Sequence, residues 1–190
     1  MPSHSLSLGA ASPASTLGRV DEGRLRAIVE AHFDALWRFL RRLGVAEGDV
    51  DDAVQEVILV LTRKLDGIAP GSEKSFVLST AFRVASDSRR RVKRRREVEP
   101  DPLREAVSSG VDPEAQLEKR QLTALFAQVL EQLPLEQRAV FVLYEIEDFT
   151  MAEIAQTLQV PAGTVASRLR RGRETFERLA SLALAEQERS

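Results

Sequence analysis

Residues 130–176, which read LEQLPLEQRAVFVLYEIEDFTMAEIAQTLQVPAGTVASRLRRGRETF, decide how the chain folds. Thr150 and Glu153 have the T-x-x-E spacing of a capping box, which predicts that a helix starts there. Pro161 follows a break in the apolar pattern, at a place where a second helix can start. Apolar side chains at helical spacing give both helices an inward face: Ile154, Ala155, Leu158, Val165 and Leu169. The stretch therefore predicts a short helix, a tight turn and a second helix.

The second of these helices is basic, with four arginines and no acid between residues 162 and 173. A helix of this kind after a tight turn can lie in the major groove of DNA, with its N-terminal side chains on base edges and its arginines on phosphates or guanine. The pattern predicts a DNA-reading helix–turn–helix. The outward side chains that would contact DNA are Thr164, Ser167, Arg168, Arg170 and Arg171.

Helical periodicity continues on the N-terminal side of this stretch, and no part of the chain alternates as a strand does. Apolar residues recur at steps of three and four from Phe33 to Leu43, from Val50 to Leu65, and again from Leu122 to Leu133. A further helix is predicted from about Ser75, after a loop at residues 66–74. The expected fold class is therefore all-α.

Composition divides the chain into two helical blocks. Residues 1–22 are predicted to be a disordered tail, and residues 97–116, rich in acid and proline, a flexible linker. We expect residues 23–96 and 117–186 to form two small helical domains joined by that linker. Each block is near the lower limit for a core of its own.

Composition also excludes several classes of function. The chain has no cysteine and two histidines, which excludes a disulfide framework, a thiolate metal site and a histidine-rich site. We expect no catalytic residue, no metal and no cofactor. No apolar run approaches the ~18 residues of a membrane span, and the N-terminus lacks a signal-peptide pattern, so we expect a cytoplasmic protein.

Charge is segregated, although 27 basic and 29 acidic residues nearly cancel. Residues 83–96 hold eight bases and one acid, whereas residues 47–56 hold five acids and no base. A chain of this kind can present different faces to different partners.

The motifs of both blocks resemble those of bacterial sigma factors, in particular the extracytoplasmic-function (ECF) group of the sigma-70 family. The stretch 50–56, VDDAVQE, resembles the family's A-E-D-L-V-Q-E, and 76–90, FVLSTAFRVASDSRR, resembles its W-L-x-x-I-A-x-N-x-x-x-D-x-x-R. The family's promoter-reading domain is matched at Leu133-Pro134, Arg138, Val140-Phe141, Glu153-Ile154-Ala155, Val160-Pro161, Gly163-Thr164-Val165 and Ser167-Arg168-Leu169.

The resemblance implies two small domains, sigma regions 2 and 4, and a function in transcription initiation. Its implied partners are core RNA polymerase, through the β′ clamp helices and the β flap, and promoter DNA; an anti-sigma factor is a further candidate. Region 2 would bind the clamp through Asp51, Asp52, Gln55 and Glu56. It would hold the melted -10 element through Arg83, Arg89, Arg90 and Lys93. Region 4 would read the -35 element through the outward side chains of the helix–turn–helix.

The sequence departs from the family pattern at several of these positions. Arg83 stands where the family has asparagine, and Ala166 where it has a basic residue. Gln159 replaces a turn glycine, at a cost of about 1 kcal/mol if the position needs a positive φ. Gly172 replaces an alanine inside a helix, where it lowers helix propensity by up to about 1 kcal/mol.

Two alternatives remain open at this point. A stand-alone helix–turn–helix regulator would bind DNA by itself and would not need the acidic face or the basic run 83–96. A nucleic-acid hydrolase would have to take its metal ligands from the acidic face of residues 51–56, but no glycine-rich phosphate loop or His/Cys cluster supports it.

Overall fold

Seven α-helices and one 3-10 turn build the part of the chain that the structure describes. The structure is a computed structural model, and it describes residues 21–96, 115–187 and 189. Within these residues there is no β-strand. The predicted tail up to residue 20 and residues 97–114 of the predicted linker lie outside them. The helices are α1 (Glu22–Arg42), α2 (Glu47–Lys64), α3 (Glu73–Arg96), α4 (Ala115–Glu131), α5 (Leu135–Glu145), α6 (Met151–Leu158) and α7 (Ala162–Gln187), with the 3-10 turn at Leu65–Gly67.

The first unit is the bundle of α1, α2 and α3. The predicted stripe of α1 is buried at Leu36, Leu40 and Leu43, and that of α2 at Val50, Ala53, Val54, Val57 and Leu61. Phe33 departs from its stripe, because 42% of it is exposed. The core side of α1 holds Ile28 and Phe39 instead.

The loop before α3 is shorter than the sequence predicted. Residues 65–67 form a 3-10 turn and α3 begins at Glu73, two residues before Ser75, so only residues 68–72 connect them. Arg24 of α1 fixes both ends of this connection: its Nη2 donates to the carbonyl oxygen of Ile68 at 2.6 Å and to Glu73 Oε1 at 3.1 Å. This bonding places the start of α3 against the start of α1.

The second unit consists of α4 to α7, and three phenylalanines join its longer helices. The rings of Phe141 in α5 and Phe176 in α7 are stacked with centroids 4.9 Å apart, and Phe126 of α4 meets Phe176 edge-on at 5.4 Å. Helix α7 is one continuous helix of 26 residues, which makes it ~39 Å long. Its first turns therefore belong to the same rigid element as its C-terminal end.

The two units pack directly on one another, which the sequence analysis did not predict. Helix α3 lies against α6, and α1 approaches α4 and α5. The hydroxyl oxygens of Ser75 in α3 and Thr157 in α6 are 2.5 Å apart. One hydrophobic cluster includes Leu43 and Val77 of the first unit and Val140 and Ile154 of the second.

Candidate functional site

The predicted helix–turn–helix is present, and its capping box is complete. Thr150 Oγ1 accepts the backbone N–H of Glu153 at 3.3 Å, and Glu153 Oε2 accepts the backbone N–H of Thr150 at 2.7 Å. The hydroxyl of Thr150 also donates to Glu153 Oε2 at 2.7 Å. Together these hydrogen bonds, the one from the Thr150 side chain first, lower the pKa of Glu153.

The turn between α6 and α7 depends on Gln159. This residue has φ 54° and ψ 46°, the left-handed conformation that glycine adopts without strain. The position therefore requires a positive φ, and glutamine in place of glycine lowers the stability of the turn. Its backbone N–H bonds to the carbonyl of Gln156 at 3.3 Å, and that of Val160 to Ala155 at 3.0 Å. Pro161 directly precedes α7, and its carbonyl accepts the backbone N–H groups of Thr164 at 2.9 Å and Val165 at 3.1 Å, the third and fourth residues of the helix.

The first turns of α7 divide as predicted into an inward and an outward face. Val165 and Leu169 are fully buried. Arg170 and Arg171 are exposed, and Thr164, Ser167 and Arg168 are half-buried. Arg170 pairs with Glu174 at 2.7 Å, and Ser167 Oγ donates to the carbonyl of Thr164 at 3.0 Å. All five predicted -35 residues therefore lie on one stretch of helix surface.

The predicted polymerase-binding residues also lie on one face. Asp51, Asp52, Gln55 and Glu56 are all exposed on α2, opposite the buried stripe of that helix. We call this group the acidic face of α2.

The predicted -10 residues do not form one open surface. Arg83 Nη2 donates to Gln159 Oε1 at 3.1 Å, and Arg89 Nη1 donates to the carbonyl of Leu43 at 3.3 Å. Arg90 is exposed and lies 3.8 Å from the carboxylate of Asp87. The backbone of Lys93 belongs to α3, but its side chain lies outside the described residues. Phe76 and Phe82, considered for base stacking, are half-buried against the core.

Two ionic side chains are buried between the units, and the sequence pointed to only one of them. The side chain of Glu147 is 8% exposed and lies between Arg42 at 3.3 Å and Lys74 at 3.4 Å. Arg138 is 1% exposed, and its Nη2 donates to the carbonyls of Glu131 and Leu133. Arg138 was singled out by its place in the family motif, but no signal in the sequence pointed to Glu147.

Within 21–96, 115–187 and 189 there is no group of three or more histidine, cysteine or acidic side chains that could hold a metal ion. In that same part of the chain, none of the helices combines the length and the apolar character that a membrane crossing requires.

Two family models match this chain, one in each of the two units. Residues 28–96 match the family model for sigma-70 region 2, and residues 123–176 match that for sigma-70 region 4. The chain is 32% identical over 149 residues to the ECF RNA polymerase sigma factor SigM of Mycobacterium tuberculosis, a match that covers 78% of this chain and 72% of SigM. The chain belongs to the ECF group of the sigma-70 family. It is also 32% identical over 148 residues to the ECF sigma factor SigE of Mycolicibacterium smegmatis, which covers 77% of this chain but only 58% of SigE.

The fold agrees with that of a solved sigma factor structure. The sigma factor RpoE from Bartonella quintana, crystallised with the anti-sigma factor NepR, superposes with a TM-score of 0.68 at 20% identity. The superposition covers 82% of this chain and 96% of RpoE. The two family-model matches and the similarity to SigM confirm the prediction of an ECF sigma factor with two helical domains. A stand-alone regulator is not favoured, because the family match includes region 2 as well as the helix–turn–helix.

Proposed function

We propose that this sigma factor binds core RNA polymerase through the acidic face of α2, directs it to promoters with a -35 element read by α7, and stabilises the melted -10 element through α3. The observation that carries the proposal is the joint presence of an exposed acidic face on region 2 and an exposed basic face on the helix–turn–helix of region 4. Neither face needs a chemical step, since each recognises a partner by charge and shape.

Core binding through α2 follows from the chemistry of the acidic face. Asp51, Asp52 and Glu56 offer carboxylates and Gln55 an amide on a rigid helix. Carboxylates on a rigid element form charge-assisted hydrogen bonds with arginines of a partner, and these bonds fix orientation as well as affinity. The β′ clamp helices are the expected partner because the motif of α2 resembles the clamp-binding motif of the family.

Reading of the -35 element follows from the position of α7. Its N-terminal turns begin directly after a tight turn and carry Thr164 and Ser167 next to Arg168, Arg170 and Arg171. The N-terminal end of a helix favours a phosphate, and arginines bind guanine or further phosphates in the major groove. Loss of one bidentate arginine contact costs about 1–3 kcal/mol of discrimination.

Stabilisation of the -10 element would come from the basic end of α3. Arg89 and Arg90 lie on the last turns whose side chains are described, and Arg83 lies on an earlier turn. Contacts of this kind hold the backbone of bases that thermal motion has already unpaired, and they offset a few kcal/mol of unstacking per base. No nucleotide hydrolysis is needed for such capture.

A protein partner of the anti-sigma class is part of the same proposal. The support is that RpoE, whose fold this chain shares over most of its length, is crystallised with the anti-sigma factor NepR. A partner of this class would compete with core polymerase or with DNA for one of the faces described above.

The decisive experiment is run-off transcription with purified core polymerase, with and without this protein. We expect promoter-dependent transcripts only when both are present. Specific promoter binding by the isolated chain, combined with no complex with core polymerase, would favour the stand-alone regulator instead.

A further inference from the structure

Glu174 lies on the outward face of α7, among the side chains proposed to read the -35 element. It follows Ser167 by seven positions, which is about two helical turns, so the two side chains lie on the same face. Glu174 is also the first acid of α7, since residues 162–173 hold none, and its side chain is 59% exposed. A carboxylate at this place is repelled by the phosphates of DNA unless it has a specific partner.

The partner of Glu174 within the chain is Arg170, one helical turn earlier. Arg170 Nη1 donates to Glu174 Oε1 at 2.7 Å, and the Arg170 side chain is 65% exposed. An ion pair this exposed contributes little to the stability of a helix. It does reduce the number of rotamers open to a long arginine side chain, so it fixes the direction in which the Arg170 guanidinium extends.

The neighbouring arginines of α7 are held differently. Arg173 Nε donates to Glu145 at 2.6 Å, and its guanidinium lies 5.1 Å from the centre of the Tyr144 ring, so Arg173 is fixed against α5. Arg171 is exposed and forms no ion pair with any residue that the structure describes. Of these three arginines, only Arg170 is directed by an acid that itself lies on the outward face of the helix.

The pair retains the hydrogen-bonding groups that base recognition requires. A guanidinium has five N–H donors and a carboxylate has two acceptor oxygens, and the bond between Arg170 and Glu174 uses one of each. The remaining donors of Arg170 suit the O6 and N7 atoms of guanine, which a guanidinium binds through two hydrogen bonds. Glu174 Oε2 can accept from the N4 amino group of cytosine, whereas the O4 atom of thymine would place two acceptors against each other.

The spacing of the two residues matches the spacing of base pairs. Four residues advance about 6 Å along a helix, and adjacent base pairs are ~3.4 Å apart. Arg170 and Glu174 therefore reach the same base pair or two neighbouring ones. A guanine with a cytosine in the same pair or the next one offers an acceptor to the arginine and a donor to the glutamate.

We propose that Glu174 is a specificity-determining residue of the -35 contact: it positions the Arg170 guanidinium on a guanine, and its own carboxylate accepts from the amino group of a cytosine in the same or the next base pair. The inference rests on the proposed function, since it assumes that α7 enters the major groove of the -35 element. It adds that the element contains a G·C pair where Arg170 lies, and that thymine opposite Glu174 is rejected.

Selection from a random DNA library tests the proposal. The complex of the chain with core polymerase binds a duplex library whose random segment is long enough for both promoter elements, and the bound DNA is sequenced. Arg170→Ala removes the guanidinium, and Glu174→Gln replaces the carboxylate by an amide of the same size that can also donate to thymine. Glu177→Gln is the matched control, because Glu177 is an exposed acid of α7 without an ion pair to the described residues, and the substitution removes the same charge.

We expect the unmodified chain to select a -35 element with a strongly preferred G·C pair. Arg170→Ala should lower the preference for guanine, and Glu174→Gln the preference for cytosine over thymine, each at least ~5-fold, while Glu177→Gln leaves both unchanged. Equal preferences in the Glu174→Gln and Glu177→Gln selections would overturn the inference. So would losses that lie more than one base pair apart in the Arg170→Ala and Glu174→Gln selections. If the unmodified complex selects no element at all, the proposed function fails, and the inference fails with it.

Chemically altered DNA gives a second measurement on the selected element. Replacing its guanine by 7-deazaguanine removes the N7 acceptor and keeps the base pair. The unmodified complex should bind the altered element at least ~5-fold more weakly, whereas the Arg170→Ala complex should bind both elements alike. Equal binding of the two elements by the unmodified complex would contradict the guanine contact.

Discussion

Gly172, in the middle of α7, lies against the backbone carbonyl of Gln137 in α5. A Cβ placed on Gly172 would be 3.4 Å from that oxygen and 3.7 Å from the Gln137 Cβ, both ordinary van der Waals distances. The glycine is therefore not required by the approach of the two helices, and there is room for one methyl group at this position.

Gly172→Ala is expected to stabilise the second unit by up to about 1 kcal/mol, because alanine restores the helix propensity that glycine lacks. The measurement is the free energy of unfolding from urea titration. Gly172→Val is the matched variant and should be destabilising by about 1–3 kcal/mol, since its extra methyls meet Gln137. An alanine variant that is less stable than the parent would show that the helices cannot accept the methyl.

Gln159→Gly is expected to raise stability by about 1 kcal/mol, because only glycine adopts φ 54° without steric cost. The same substitution one turn earlier, Gln156→Gly, is the control: Gln156 is an exposed residue inside α6, so glycine there should cost about 1 kcal/mol. Thermal unfolding of the two variants should therefore move in opposite directions. If the unfolding temperatures of both variants shifted in the same direction, the positive φ of Gln159 would not be the reason for the gain.

Glu153 makes the stability of the helix–turn–helix depend on pH. Its pKa is lowered from the ordinary value of 4.5, first by the hydrogen bond from the Thr150 side chain. A carboxyl with a lowered folded-state pKa stabilises the fold above its unfolded-state pKa, and the stabilisation is lost as the pH falls through the folded-state value. We expect the parent chain to be more stable than Glu153→Gln at neutral pH.

Below pH 4.5 that difference should shrink and then vanish. Glutamine keeps the capping geometry without the charge, so the comparison isolates ionisation. Denaturation curves of the two chains at neutral and acidic pH provide the measurement, and a difference that stays constant down to pH 2 would contradict the prediction.

Arg171→Ala is expected to weaken promoter binding by about 1–3 kcal/mol, equivalent to about 5- to 150-fold, without changing affinity for core polymerase. Arg178→Ala, an exposed arginine two turns further along α7, is the matched control and should leave promoter binding nearly unchanged. Gel-shift titration of the polymerase complex on the cognate promoter measures both. Unaltered transcription by the Arg171 variant would show that Arg171 does not contribute to binding of the -35 element.

Asp52→Ala combined with Gln55→Ala is expected to lower affinity for core polymerase at least ~10-fold, since two oriented contacts of the acidic face are lost. The control is Glu30→Ala with Asp34→Ala, an exposed acidic pair one turn apart on α1. A pull-down with purified core enzyme measures how much of each double variant is retained. Equal retention of the two double variants would show that a surface other than the acidic face of α2 binds core polymerase.

The local parts of this structure were predictable from the sequence, and the contact between the units was not. The capping box at Thr150 and the inward faces at Val165 and Leu169 follow from spacing of a few residues, and the cost at Gln159 follows from the turn glycine that the family has at that place. Glu147 and Arg42, in contrast, are 105 positions apart, and their pairing depends on how two folded surfaces fit. Nothing in the periodicity of either segment encodes that fit, so Glu147 appeared only as one acid among many.

The candidate site shows the same limit. Sequence spacing placed Arg83 and Arg89 on one helix, which is correct. It gave no indication that each side chain would form a hydrogen bond with another part of the chain. Arg89 reaches the carbonyl of Leu43, and Arg83 reaches Gln159 of the other unit. Helical periodicity predicts which side chains share a face, whereas the partner of each long arginine is decided by tertiary packing.

The continuity of α7 has a mechanical consequence. Its first turns carry the side chains proposed to read the -35 element, while Leu182 and Leu184 near its other end are exposed. A stiff rod ~39 Å long behaves as a lever, so a sideways displacement of ~3 Å at the leucine end tilts the reading end by roughly 4° if the rod pivots about its first turn. A protein that bound Leu182 and Leu184 would therefore change the angle at which the first turns of α7 are presented.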